Sequence, residues 1–263
     1  MPNPTSLLVT LTAALAALPE AQAAIYTKNS PVLQVNARNF DKLISKSNYT
    51  SIVEFYAPWC GHCQNLKPAY EKAAKNLDGL AQVAAIDCDD EANKQFCGNM
   101  GVQGFPTLKI VRPGKKSPVV EDYQGGRTAG AIQEAVMSKI NNHVTRVSDK
   151  DLDSFLKGDK PKAILFTSKG TTSALIRSIA IDFLDVISVG QVRDKETAAV
   201  KKFGIEKFPA LVLIPSEGKD HIVYDGEMVK KDMVKFLTQA GKPNPIHATG
   251  NDKTAKPKKD AKK

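Results

Sequence analysis

The chain has 263 residues, of which 42% are apolar and 25% charged, and a formal net charge of +9. That is enough chain for two domains of about 100 residues with a core each, and the composition excludes a collagen-like, coiled-coil or wholly disordered protein. Part of the charge is local. Residues 242–263 hold seven Lys against two Asp among Pro, Gly and Thr, which predicts a solvated, disordered basic tail. Without interleaved aromatics that tail is not a nucleic-acid surface.

Residues 7–18 (LLVTLTAALAAL) are apolar or small throughout and too short to span a bilayer. Ala21-Gln22-Ala23 follows with the small-X-small pattern of a signal-peptidase site. A signal peptide over residues 1–23 is therefore expected, although the preceding MPNPTS carries no Lys or Arg. No later apolar run reaches membrane length, so no membrane span is expected and the mature chain should be lumenal or secreted. In such an oxidising compartment the four cysteines can form disulfides. Asn48-Tyr49-Thr50 is a glycosylation sequon that could be used there.

Strand and helix patterns then alternate. PVLQV (31–35) predicts a short strand, and ARNFDKLISKS (37–47) has helical apolar spacing. SIVEFYA (51–57) is a continuous β-rich run, as in a strand buried on both faces. A helix over 61–77 contains Pro68, where the missing N–H should kink it. QVAAIDC (82–88) predicts a buried strand and 91–100 a helix. PTLKIVR (106–112) and EDYQG (121–125) predict closing hairpin strands, and 128–141 a last helix capped by Thr128.

The second half repeats the plan: helix 149–157, strand KAILFTS, helix TTSALIRSIAIDF, strand DVISVGQV, helix KETAAVKKF, strands ALVLIPS and HIVYDG, helix 229–240. CGNMGVQGFPTLKIV (97–111) corresponds to KKFGIEKFPALVLIP (201–215), with Phe-Pro at 105–106 and again at 208–209. Such self-similarity predicts a duplicated domain. The expected division is a signal peptide 1–23, a first domain 24–142, a second 143–241 and the tail 242–263.

Cys60-Gly61-His62-Cys63 fits a structural clip, half of a metal site or a redox centre. Zinc needs four suitably spaced ligands; His62 is too close to the cysteines to join them, and Cys88 with Cys97 lacks zinc-like spacing, so no metal is expected. Redox exchange needs an attacking thiolate and a second thiol to resolve the mixed disulfide. With two residues between them, both cysteines sit on the first helical turn, and Cys60 meets the N-terminal N–H groups and dipole that favour an anion. His62 adds a donor or a positive charge. A stabilised thiolate makes the disulfide form the better oxidant, which predicts an oxidising or isomerising poise. Glu54, in an otherwise apolar strand, is either a buried carboxylate with a function or an edge residue facing water.

WCGHC after a buried strand, Gly-Phe-Pro-Thr some 40 residues later and Gly-Gly-Arg-Thr before the last helix resemble the catalytic domain of the protein disulfide isomerase family over residues 25–142. The second half resembles, by weaker evidence, a redox-inactive domain of that family. The resemblance implies two tandem thioredoxin-like α/β domains, each a central mixed β-sheet flanked by helices. It makes Cys60 the nucleophile and Cys63 the resolving thiol, with Glu54 beneath Cys63 as proton acceptor and Lys109 beside Glu54. Arg127 would approach the site and favour ionisation of Cys63. The Phe105-Pro106 bond would be cis and turn the Phe105 backbone toward the cysteines, where it and Gly61 could meet an extended client, with Trp59 as a surface aromatic. For Cys88 and Cys97 it favours a local structural disulfide, with two buried free thiols as the alternative.

In the second half Ser168-Lys169-Gly170-Thr171 stands where Pro-Trp-Cys should be, Ile164-Leu165 where the Glu should be, and no cysteine follows Cys97. This domain is expected to exchange no disulfides, and to bind clients or act as a spacer. The activity implied is formation and rearrangement of disulfides in unfolded or misoxidised secretory proteins. It needs no cofactor, and glutathione or an upstream thiol oxidase would supply the oxidising equivalents. A client-binding module with incidental cysteines is the competing class. Residence in the endoplasmic reticulum lumen is implied by the resemblance alone, because the sequence ends Asp-Ala-Lys-Lys rather than in a retention signal.

Overall fold

The computed structural model describes residues 24–244; the expected signal peptide and residues 245–263 of the expected tail lie outside the described residues. The first half runs β1 (Leu33–Val35), a wide helical turn (Asp41–Ser45), β2 (Ser51–Tyr56), α1 (Gly61–Asn76), β3 (Gln82–Asp87), α2 (Glu91–Asn99), β4 (Thr107–Arg112), β5 (Val119–Asp122) and α3 (Ala129–Ser138). The sheet order is β1-β3-β2-β4-β5, with β1, β3 and β2 parallel and β4 and β5 antiparallel.

β2 is the middle strand and every one of its residues is buried, hence its unbroken apolar sequence. Ile52, Glu54 and Tyr56 face α1 and α3, among Leu66, Tyr70, Leu108, Ile132 and Val136. Val53 and Phe55 face the opposite layer, where Phe40, Ile44, Ile86 and Cys97 pack. Asp90 and Thr128 cap α2 and α3, accepting from Ala92 N and Ala131 N. β5 lies two residues earlier than the sequence suggested. The Tyr123 hydroxyl donates to Gly126 O at 2.7 Å, and its ring covers Gly125 so closely that a Cβ there would stand 2.7 Å from it. The chain therefore leaves the sheet at Tyr123.

The second half runs β6 (Thr145–Val147), α4 (Leu152–Leu156), β7 (Lys162–Thr167), α5 (Ala174–Asp182), β8 (Ser188–Arg193), α6 (Thr197–Lys202), β9 (Ala210–Ile214), β10 (Ile222–Val223) and α7 (Lys230–Leu237), in sheet order β10-β9-β7-β8-β6. This is the first sheet's order again. β6 was not foreseen: only one of its three residues is buried, so there was no apolar run to read. The registers establish residue equivalence. Ser51 pairs with Gln82 and Val111, and Lys162 with Ser188 and Ile214, so Leu165 occupies the place of Glu54 and Val212 that of Lys109. Tyr224 repeats Tyr123, its hydroxyl donating to Glu227 O at 2.9 Å over Gly226; Met228 thereby takes the place of Arg127. Phe105-Pro106 and Phe208-Pro209 are both cis.

The halves meet through α5. Ile181 is buried in the first domain's core cluster. Arg177 donates to Ile140 O at 2.8 Å and Met137 O at 2.9 Å, the carbonyls that end α3. Fully buried Asp182 accepts a hydrogen bond from Tyr49 and pairs with Lys230 at 2.9 Å. Lys230 also donates to Gly79 O, and it can approach because Gly79, at φ +71°, has no side chain. Burial raises the Asp182 pKa and lowers that of Lys230, and their mutual attraction opposes both shifts. The second domain extends three residues past its expected border: Asn244 donates through its amide N–H to Asp182 O at 2.6 Å and through its side chain to Leu184 O at 2.9 Å. Removing one member of a buried pair strands the other, so Asp182→Ala should destabilise the docked domains by about 3–5 kcal/mol. Urea unfolding followed by tryptophan fluorescence and circular dichroism would measure this, and a loss below about 1 kcal/mol would show that the pair holds nothing together.

Candidate active site

Cys60 is the N-cap of α1, and its Sγ accepts from Cys63 N at 3.3 Å. This is the side-chain capping geometry of a Ser or Asp, carried out by sulfur. The Cys60 and Gln64 N–H groups close the turn on Ala57 O and Cys60 O. Cys63, one turn in, is fully buried, whereas Cys60 keeps 7% of its surface. Both are free thiols. Burial pushes the Cys63 thiol well above its ordinary value; its hydrogen bond to Cys60 and the nearby charges of Glu54 and Cys60 push the same way, and a backbone hydrogen bond to Ala57 opposes them.

Glu54 lies on the sheet face beneath this turn, with no exposure. Burial raises its pKa from 4.5 to about 7, against the pull of the Tyr26 hydrogen bond and the positive charge of Arg127. Arg127 is itself exposed, with its guanidinium 5.8 Å from the Tyr123 ring centroid. Its charge acts on Glu54, Tyr70 and Tyr123.

The expected pairing of Lys109 with Glu54 is wrong. Lys109 sits opposite Val53 in the β2–β4 register while Glu54 sits opposite Leu108, and paired residues share a face. Lys109 therefore points away from Glu54 and pairs with Asp122 on β5. The group that does meet Glu54 is Tyr26, whose hydroxyl donates to Oε2. Sequence reasoning missed it, because Tyr26 lies in an irregular stretch ahead of β1 where no periodicity marks it.

His62 and Gly61 are exposed on the first turn of α1, and a Cβ at Gly61 would meet nothing within 4 Å. The fold does not require a glycine there. Trp59 is 57% exposed and stands edge-on to Phe105 at 5.9 Å, so Trp59, Phe105 and Pro106 form an apolar shelf at the cysteines' end of the sheet. Cys88, just past β3, and Cys97, on α2, are joined in a disulfide with Cα atoms 5.9 Å apart within the core layer opposite Glu54. Asn48 is exposed, but the sequon's Thr50 is buried, its hydroxyl donating to Lys139 O at 3.0 Å. Among the described residues no three His, Cys, Asp or Glu side chains cluster so as to hold a metal ion.

Fold and site together define a thioredoxin-fold dithiol protein, and residues 31–138 match the thioredoxin family model. A Dictyostelium discoideum protein described as a protein disulfide-isomerase is 40% identical over 225 residues, covering 83% of this chain and 54% of that one. Protein disulfide-isomerase MPD1 of Saccharomyces cerevisiae is 38% identical over 187 residues, covering 65% and 59%. The chain thus spans little more than half the length of these relatives. In fold it resembles the crystal structure of ERdj5 form II, with a TM-score of 0.54 at 20% identity over 81% of this chain and 30% of that one. The thioredoxin match and relatives described as protein disulfide-isomerases together support a place for the chain in the protein disulfide isomerase family.

Between pH 4.5 and 7 the folded protein keeps the Glu54 proton that an unfolded chain releases. A carboxyl raised in the fold is therefore least costly at low pH, and its penalty is complete above pH 7. Glu54→Gln keeps an acceptor for Tyr26 and removes the charge. Its stability relative to the parent protein should rise by roughly 2–3 kcal/mol between pH 5 and pH 8 in urea unfolding; a difference independent of pH would refute the buried ionisation.

Proposed function

We propose that the chain is a thiol–disulfide oxidoreductase that forms and rearranges disulfides in secretory clients. The observation that carries this is the stacking of three groups: a thiol capping a helix, a second thiol buried one turn behind it, and a carboxyl beneath that is half-ionised near neutral pH. In the reducing direction, which opens a wrong disulfide so that re-oxidation can re-pair it, the Cys60 thiolate attacks a client disulfide, forming a Cys60–client bond and releasing one client thiolate. Cys63 then gives its proton to Glu54, and its sulfur attacks Cys60 Sγ. A Cys60–Cys63 disulfide forms, and the second client thiolate leaves with the electron pair. The client gains two electrons and the enzyme loses two. Oxidation of a client dithiol is the reverse sequence, with the Cys60–Cys63 disulfide regenerated by glutathione disulfide or a thiol oxidase.

The roles of the surrounding residues follow from their places. His62 favours the Cys60 thiolate, Arg127 keeps Glu54 able to ionise, and Trp59, Phe105 and Pro106 offer an extended client an apolar edge beside the sulfurs, with room left at Gly61. The Cys88–Cys97 disulfide fastens α2 to β3 and takes no part in exchange. We place the protein in the endoplasmic reticulum lumen, with a cleaved leader over residues 1–23 and Asn48 as a candidate glycosylation site. The relatives' names and the oxidising chemistry support that setting. The second domain, with Leu165, Met228 and Thr171 where the first has Glu54, Arg127 and Cys60, exchanges no disulfides.

Cys60→Ser should abolish reactivation of a scrambled-disulfide client. Cys63→Ser should instead accumulate the Cys60–client mixed disulfide, visible on non-reducing gels. Equilibration in glutathione buffers should give a Cys60–Cys63 potential near about −180 mV, whereas about −270 mV would mean a reductase. Client holding that survives Cys60→Ser, with no reactivation by the parent protein, would make the chain a binding module.

A further inference from the structure

Glu54 can accept a proton only at an oxygen that is free to take one, and its two carboxylate oxygens differ. Oε2 is occupied by the Tyr26 hydroxyl. Oε1 is buried and has no hydrogen-bond partner among the described residues. Tyr26 is itself buried and wedged between rings, with its centroid 5.6 Å from that of Tyr56 at an edge-on angle and 6.1 Å from that of Tyr70. The segment that carries it is fixed by a turn: Ser30 N and the Gln34 side chain both donate to Thr27 O, at 3.0 and 2.8 Å. Ser30 Oγ donates in turn to Glu71 on α1 at 2.8 Å. A hydroxyl held this firmly, against a carboxylate that has no other direct partner, is more than filler.

We infer that Tyr26 is a positioning residue for the exchange reaction: it holds Glu54 by Oε2, so that Oε1 is the single acceptor presented to the Cys63 proton. The inference rests on the reading of Glu54 as the base for Cys63. The lysine that might have shared this duty faces the other layer of the sheet. The groups around Glu54 are Tyr26 from the N-terminal segment, Tyr56 on its own strand, Cys63 and Tyr70 from α1, and Arg127 from the loop before α3. Tyr26 alone of these hydrogen-bonds the Glu54 carboxylate. It also favours the carboxylate over the carboxylic acid, as a hydrogen bond to a charged acceptor does. The duplicated domain gives a natural control, because Leu165 replaces the carboxylate there and leaves nothing for such a tyrosine to hold.

The test is Tyr26→Phe, which keeps the ring and its contacts. In single-turnover experiments a Cys60–client mixed disulfide is formed and its resolution by Cys63 is followed across pH 5 to 9. In the parent protein resolution should quicken through a limb set by Glu54 ionisation. Tyr26→Phe should move that limb upward by roughly one pH unit, slowing resolution about fivefold at pH 7 and little at pH 9. The rate of Cys60 alkylation by iodoacetamide should be unchanged. In a Glu54→Gln background the same substitution should have no further effect. A limb left unmoved by Tyr26→Phe while Glu54→Gln abolishes it would overturn the role of Tyr26 and leave the oxidoreductase reading standing. A parent protein with no exchange activity, or a limb unaffected by Glu54→Gln, would remove the premise and the inference with it. If the variant does not fold, NMR of the parent protein decides: the Tyr26 hydroxyl proton and the Glu54 carboxyl carbon should shift through one common titration, and separate titrations would refute the coupling.

Discussion

A carboxyl group in the middle strand of a covered sheet loses most of its hydration, and the arrangement of the first domain follows from accommodating that loss at Glu54. The neighbours do not neutralise it with a buried cation. A tyrosine hydroxyl holds one oxygen, an exposed arginine contributes charge from a distance, and aromatic rings fill the remaining space. Such partial compensation leaves the group near the middle of its titration at neutral pH, where a proton acceptor is most useful. Full pairing with Lys109 would have fixed the charge and spent that property. The register of β4 prevents it by turning the lysine to the other face, where Asp122 receives it.

The second domain shows the same scaffold with the constraint lifted. Leu165, Val212 and Met228 occupy the positions of Glu54, Lys109 and Arg127, while the tyrosine that folds over a glycine before the last helix is retained. Substitution has removed the charges and thiols as a set and kept what the backbone needs. The two domains join at the end of β2 that is far from Cys60. Tyr49 precedes the strand and Cys60 follows it, α1 begins after its cap Cys60 and ends near Gly79, and α3 begins beside Arg127 and ends at the carbonyls to which Arg177 donates. Helix N-termini therefore lie toward the thiols, where an anion is favoured, and helix C-termini toward Arg177 and Lys230, where cations are favoured. One polarity of the helices serves the chemistry at one end and the docking at the other.

Much of this was legible in the chain itself. Wherever an element was buried on a regular face, as in β2, β3, β7 and α1, its apolar pattern marked it, and the duplicated Phe-Pro segments revealed two domains. β6 escaped because two of its three residues face solvent, and the end of β5 because a side chain folding back onto Gly126 stops the strand. In the site, the cysteine pair and Glu54 stood out because each breaks or punctuates a local pattern, whereas Arg127 and Trp59 were named only through the family resemblance. Tyr26 and the trio of Tyr49, Asp182 and Lys230 were not, since they join residues 28 and 133 positions apart and leave no periodic trace.

What the sequence by itself determined is the chemistry available: two thiols a helical turn apart, a carboxyl placed in an apolar strand, and a second copy of the fold without either. Local spacing suffices for that, because a helix or strand converts it directly into shared faces. Which groups face Glu54 was decided only by the tertiary structure. Strand register, set when β4 pairs with β2, sent Lys109 away, and packing of an irregular N-terminal segment against α1 brought Tyr26 in. Those outcomes depend on how separate elements align in space, and a one-residue difference in register, invisible in any single segment, reverses the face on which a side chain lies.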